Sequence, residues 1–217
     1  MYTSVSIKSK AAWLLMFFVL AVVSTQAQKF FKAQLVLTNH TQLEGFVQPP
    51  GTPNDKRVKF KSTENAEVRK IESTTIQLII VHASDGSQSV LERIPINKKN
   101  TAFCFLMVEG YADLYLTGDI ISVSKTGELS PSSSYVAGRS LPYFTYFIRR
   151  PGETYVSELA MTSPSKTMLG AKKYFRKLAA AYFSDYPALV ERINDEEFTE
   201  KDVERVVAIY NDYKKDK

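Results

Sequence analysis

Two histidines, one cysteine and a scatter of carboxylates are the side chains here whose types could do chemistry. His40 and His82 stand 42 residues apart. A zinc site needs several His, Cys or carboxylate ligands at close geometry, and catalytic sites often use His pairs on one element. His40 reads as a solvated turn residue and His82 as a strand end, so neither is assigned a metal. Cys104 is the only cysteine and lies inside the apolar run "TAFCFLMV". One thiol cannot form an internal bridge, and in such a run it is expected to behave as a small buried hydrophobe. Nucleophilic catalysis needs an activated Ser or Cys beside a base. There is no G-x-S-x-G, P-loop, G-x-G-x-x-G or aspartate-rich calcium loop, and many serines cluster in "SPSSS". Glu44, Glu92, Glu109, Asp113 and Asp119 fall on or near predicted strands. Glycoside hydrolysis requires two such acids at a set separation, but a solvated strand face carries acids too. The sequence therefore assigns no catalytic, cofactor-binding or metal residue, and implies no cofactor.

Two stretches suggest binding. In "KRVKFK", Arg57, Lys59 and Lys61 alternate with Val58 and Phe60, which puts the three cations on one face of a strand. They are the candidate binding residues, suited to acidic polymer or lipid headgroups. The competing reading is an edge strand whose charges resist aggregation. "YFTYFI" is the most aromatic stretch, yet Tyr143, Phe144, Tyr146 and Phe147 alternate onto both faces of one strand, as core residues do.

The elements that hold these residues read as strand and turn from Ala33 to about Leu159. "NHTQ" separates "AQLVLT" from "LEGFVQ", and Asp85-Gly86 is a strong turn signal between "TIQLIIVHA" and "SVLERIPI". "PPGTPND" reads as an exposed loop and "TGELSPSSS" as a mobile one. "TAFCFLMVE" and "YADLYLT" flank Gly110, and "YFTYFIRR" and "TYVSEL" flank a Pro-Gly turn. Roughly eight to ten short strands predict an antiparallel sandwich or open barrel. The sequence lacks the sustained aromatic girdles of an outer-membrane barrel.

Near Ser163 the hydrophobic period lengthens to about 3.6. Ser163 is expected to cap a helix with Pro164 at its first position, and Asp185 to cap a second, short one. Thr199 and Asp202 form a capping box for a third, with Phe198 stapled onto Val203. Lys166 to Lys177 is basic without acids, while Asp185 to Glu204 carries eight acids against Arg192 and Lys201; this predicts helices paired through opposite charge. Helices this short must bury their apolar stripes on something: on each other, on the β domain or on a partner, with packing within the chain as the expectation.

At the start, Lys8 and Lys10 precede the thirteen-residue apolar run Ala11 to Val23 and then "STQAQ". That is the pattern of a secretory signal peptide covering residues 1–27, too short to span a bilayer. An uncleaved anchor is the rival reading. Cleavage takes Lys and Arg from 28 to 26, because Lys8 and Lys10 leave, against an unchanged 23 acids. The mature chain is then only mildly basic, which argues against nucleic acid as a partner.

The segment "AAYFSDYPALVERINDEEFTEKDVERVVAIYNDY" resembles the C-terminal signature of exported, uncharacterised proteins of Bacteroidota. Tyr182-Phe183, Asp185, Pro187, Leu189, Ile193, Phe198 and Tyr210-Asn211 carry the likeness. "EGFVQ" followed by "KRVKFK" carries a looser one. The resemblance implies an exported protein with a β-rich body and a helical tail, and no site residues.

The sequence thus predicts an α+β fold: a signal peptide at 1–27, an antiparallel β domain at 28–160 and a helical segment at 161–217 packed on it. The expected function is an exported, non-catalytic binding or assembly module of the cell envelope, periplasmic or extracellular. An envelope protein is its expected partner, and no transmembrane segment remains after cleavage. A hydrolase of envelope glycan or another polymer using strand-borne carboxylates is the alternative.

Overall fold

A computed structural model describes residues 29–132, 144–163 and 169–215. The expected signal peptide, Tyr143 and Pro164 lie outside them. The described strands are β1 (Phe31–Leu37), β2 (Gln42–Gln48), β3 (Arg57–Lys61), β4 (Arg69–Glu72), β5 (Ile76–His82) and β6 (Gln88–Pro95). They continue with β7 (Thr101–Val108), β8 (Asp113–Thr117), β9 (Ile120–Val123), β10 (Leu129–Ser132), β11 (Phe144–Arg149) and β12 (Ser157–Thr162). Three helices follow: α1 (Ala171–Tyr182), α2 (Pro187–Asn194) and α3 (Val203–Lys215). The fold is α+β, with a β-rich body and then helices. No described helix is long and apolar enough to cross a membrane.

Ten strands form one open antiparallel sheet in the order β12-β11-β8-β7-β6-β5-β1-β2-β3-β4, and β9 and β10 pair separately. The expected hairpins form: β1 with β2, β5 with β6, β7 with β8, and β11 with β12. Asp85-Gly86 makes its turn, with Gly86 at φ 87°. The described strands exceed the eight to ten expected because β4, β9 and β10 are four-residue strands too short to show sustained alternation. β10, "LSPS", belongs to the stretch expected to be a mobile loop. Its Leu129 is buried, and the Leu129 amide donates to Ser89 Oγ at 2.9 Å. The Pro49–Asp55 loop is likewise less exposed than expected: Pro49, Pro50 and Pro53 are buried. The Pro53 carbonyl accepts from the Phe103 amide.

One face of the sheet carries two successive cores. Along β1, β5, β6 and β7 it supplies Leu35, Ile79, Leu91 and Phe103, joined by Val58 and Phe60 of β3. Ile121 and Leu129 of the β9–β10 hairpin pack against them. Farther along, Leu114, Ile148, Leu159 and Ala160 meet Phe175, Phe183, Leu189, Val206 and Tyr210 of the helical segment. Tyr146 touches both cores. Alternation explains this: in "RVKFK" every second side chain is buried, and in α3 Val203, Val206, Val207 and Tyr210 recur at helical spacing.

The helix boundaries differ from the sequence reading at all three helix starts. α1 begins at Ala171, and Gly170 before it has a left-handed φ of 83°. Tyr186, not Asp185, precedes α2, and Pro187 occupies its first turn as a residue without an N–H does well. α3 begins at Val203, so Asp202, not Thr199, directly precedes it. Of the expected capping box, the Asp202 carboxylate does accept from the Thr199 amide and hydroxyl, at 2.9 and 2.8 Å, but within the turn before the helix. Phe198 and Val203 are buried in the same core. The expected charge pairing forms in part: Glu196, in the turn after α2 and not on a helix, meets Lys172 and Arg176 of α1 at 3.1 and 2.6 Å.

Asp185 is taken by tertiary contacts instead of a cap. Its carboxylate accepts from the Tyr210 hydroxyl at 2.9 Å and meets Lys214 Nζ at 2.6 Å and an Arg150 nitrogen at 3.5 Å. Burial pushes this carboxyl up, but Lys214, Tyr210 and Arg150 outweigh it and hold it below the ordinary carboxylate value. A carboxyl depressed in the folded state adds stability that is complete above its unfolded pKa of about 3.9. That contribution is lost as pH falls through the folded value. Melting temperature is therefore expected to fall more steeply below about pH 4 in the wild type than in Asp185→Asn, which is less stable at neutral pH. Equal acid slopes in the two proteins would remove Asp185 from this account.

Candidate functional site: two basic clefts flanking Phe31

Of the five strand-borne acids, the structure brings two together. Glu92 of β6 and Asp113 of β8 both accept from the Tyr115 hydroxyl, at 2.9 and 3.4 Å. Arg149 of β11 donates to Glu92 at 2.8 Å and to the Tyr115 oxygen at 2.7 Å, and its guanidinium lies 5.4 Å from the Tyr115 ring centroid. Burial, then the Glu92 charge, pushes the Tyr115 hydroxyl far above its ordinary value, so it stays a donor. The Asp113 carboxylate also accepts from the Gly110 amide. Every member thus has a partner inside the sheet, and the cluster ties β6, β8 and β11 together. Glu44 pairs in register with Gln34, while Glu109 and Asp119 are exposed elsewhere.

Cys104 sits beside this network with no exposure, and burial pushes its thiol up to about 12. A thiol held protonated is a poor nucleophile. His40 sits in the β1–β2 turn at φ 64° and His82 ends β5. Among the described residues no group of three His, Cys, Asp or Glu is placed to hold a metal.

The cationic strip of β3 forms, though its three members diverge in their contacts. Arg57 pairs with Glu72 at 2.6 Å, both side chains being more than half exposed. Such a surface pair is worth only about 0–1 kcal/mol. Lys59 stands directly opposite Lys70 of β4 on the same face. Lys61 donates to the Glu64 carbonyl and places its ammonium 4.7 Å from the Phe30 ring centroid.

Phe30 points to a concave feature at the beginning of β1. Two clefts flank Phe31. The first, about 470 Å³, lies between the start of β1 and the end of β5 and is lined by Phe30, Phe31, Lys32 and His82. The second, about 310 Å³, lies between β1, the loop after β2 and the end of β9. Lys29, Phe31, Pro50, Ile121, Val123 and Lys125 line it, together with Gln48. Among the described residues, the ionisable ones that line the two clefts are all basic or histidine.

Local structure fixes these walls. Phe31 packs against the edge of the β1–β3 core. Gly127, at φ 100°, lets the β9–β10 turn approach the ring, because a Cβ there would stand 2.7 Å from Phe31 Cδ1. The Ser84 amide donates to the Thr126 carbonyl at 2.8 Å, and the Ile121 amide to Gly51 at 2.9 Å. These bonds hold the hairpin to both neighbouring loops.

The sequence reading selected β3 and passed over Lys29 to Lys32, "KFFK". Its basic–aromatic–aromatic–basic order was the local signal available. Lys125 and Gln48 carried none, because they reach the clefts only through the fold. No protein-family model, curated protein or solved structure matches this chain.

Proposed function

We propose that the chain is an exported, non-catalytic binding module that assembles with a protein of the cell envelope. The observation that carries this reading is the chemistry of the clefts at Phe31. Lys29, Lys32 and Lys125 stand beside apolar walls there, an arrangement suited to holding an acidic partner. The hydrolase reading needs two acids free to act on a substrate. Glu92 and Asp113 are instead engaged by Arg149 and Tyr115. The helical stripes are not the contact surface, because Phe183, Leu189, Val206 and Tyr210 are buried in the chain's own core.

The test adds folded protein 28–217 to native envelope and crosslinks it in place, then assays the same mixture for soluble glycan fragments. A discrete crosslinked protein adduct with no fragment release is expected. Fragment release that disappears in Glu92→Gln, with no adduct formed, would replace the module with the hydrolase.

A further inference from the structure

We propose that the two clefts flanking Phe31 form one continuous binding site for an extended acidic peptide segment of a partner protein, one in which carboxylate side chains alternate with apolar ones. The inference rests on the binding-module reading and names the ligand class that module takes.

Charge is the first argument. Lys32 lines one cleft and Lys29 and Lys125 the other, with Phe31 shared between them. Lys61 adds a fourth cation beside Phe30. A ligand crossing Phe31 therefore meets positive charge on both sides of the ring. The walls are the second. Pro50, Ile121, Val123 and Phe31 give the smaller cleft an apolar surface. A chain carrying only charge and hydroxyl groups would desolvate these lysines without using that surface. A peptide of alternating acidic and apolar residues uses both, since extended backbone sends successive side chains to opposite sides.

Gln48 supplies the third and independent argument. It lines the smaller cleft, and its carboxamide oxygen is buried without a hydrogen-bond partner. Such an orphan acceptor calls for a reason, because buried polar groups are nearly always satisfied. Because this oxygen is buried, the Gln48 side chain must turn to meet a backbone N–H in the cleft, exchanging an unsatisfied acceptor for a bonded one. A peptide carries that donor at nearly every residue, whereas an anionic phosphate chain carries none. The occupant does not join the sheet as a strand, because β1 is already paired on both sides by β2 and β5.

The experiment measures binding of folded protein 28–217 to a fluorescent hexapeptide of alternating glutamate and leucine, by anisotropy. The comparison probes are a glutamate–serine hexapeptide, a lysine–leucine hexapeptide and vesicles containing phosphatidylglycerol. The glutamate–leucine peptide is expected to bind, and to weaken about tenfold or more in Lys32→Glu/Lys125→Glu. It is also expected to weaken several-fold between about 50 and 300 mM salt. Gln48→Ala is expected to weaken it with no loss of melting temperature, which separates ligand contact from folding. Equal binding of the glutamate–serine peptide, or undiminished binding by the double variant, overturns the proposal. Vesicle binding without peptide binding overturns it in favour of a lipid surface. In the envelope crosslinking assay, an adduct unchanged in Lys32→Glu/Lys125→Glu would sink the cleft alone. Absence of any adduct from the wild type would sink the module reading itself.

Discussion

Phe183→Ala is expected to destabilise the protein by about 3–5 kcal/mol, the usual range for deleting a fully buried aromatic. Phe183 has no exposed surface and ends α1 at the centre of the helical core. Its ring stands 4.8 Å from the Tyr210 ring and 5.4 Å from that of Tyr182, the latter edge-on. Such contacts add to the area buried. The surroundings cannot collapse cheaply, because Tyr182 is held by Glu153 and Tyr210 by Asp185. Their hydroxyls would have to leave those partners for the rings to fill the hole. Urea unfolding at neutral pH measures the effect. A loss below about 1 kcal/mol would mean the ring is less tightly enclosed than its burial indicates.

Asn211→Ala is expected to cost roughly 2–4 kcal/mol, for a different reason. The Asn211 carboxamide bridges both backbone groups of Ala112: its oxygen accepts the Ala112 N–H at 2.8 Å and its nitrogen donates to the Ala112 carbonyl at 3.0 Å. Ala112 is fully buried, so deletion strands a donor and an acceptor away from water. Gly110 belongs to the same contact, since a Cβ there would collide with the Asn211 amide nitrogen. Gly110→Ala is therefore expected to be costly in the wild type and milder in Asn211→Ala. A coupling of about 1 kcal/mol or more should appear in the double-mutant cycle. Strictly additive losses would indicate that the two residues do not share this contact.

These two sites bear on what the sequence made legible. The work of the Tyr210-Asn211 pair in the fold is physical: Tyr210 fills the core and Asn211 pins a hairpin. The first role follows from helical spacing with Val203, Val206 and Val207, but the second could not be read locally, because Asn211 and Ala112 are 99 residues apart. What could be read was whatever depends on near neighbours. Val58 and Phe60 are buried by alternation alone, Asp85-Gly86 turns on its own chemistry, and Thr199 and Asp202 bond across three residues. Asp185 illustrates the limit. It stands where a helix cap would be expected, yet Lys214 and Tyr210 from a distant helix compete for it and win. The clefts were hidden for the same reason as the Ala112 contact. Their walls come from β1, from the segments after β2 and β9, and from the end of β5, and no window of sequence contains all four.

The reach from Ala112 to Asn211 also sets a clock on synthesis. Chains emerge at roughly 5–20 residues per second, so the hairpin at Ala112 waits roughly 5–20 s for its partner residue to be made. The first core can close early, because everything it needs lies at or before Tyr146. The face bearing Leu114, Ile148 and Leu159 cannot, since its cover comes from Phe175 to Tyr210, made after every strand of that face. Until Phe175 to Tyr210 are available, the face bearing Leu114, Ile148 and Leu159 has no cover, which gives a holding chaperone a defined apolar surface to protect.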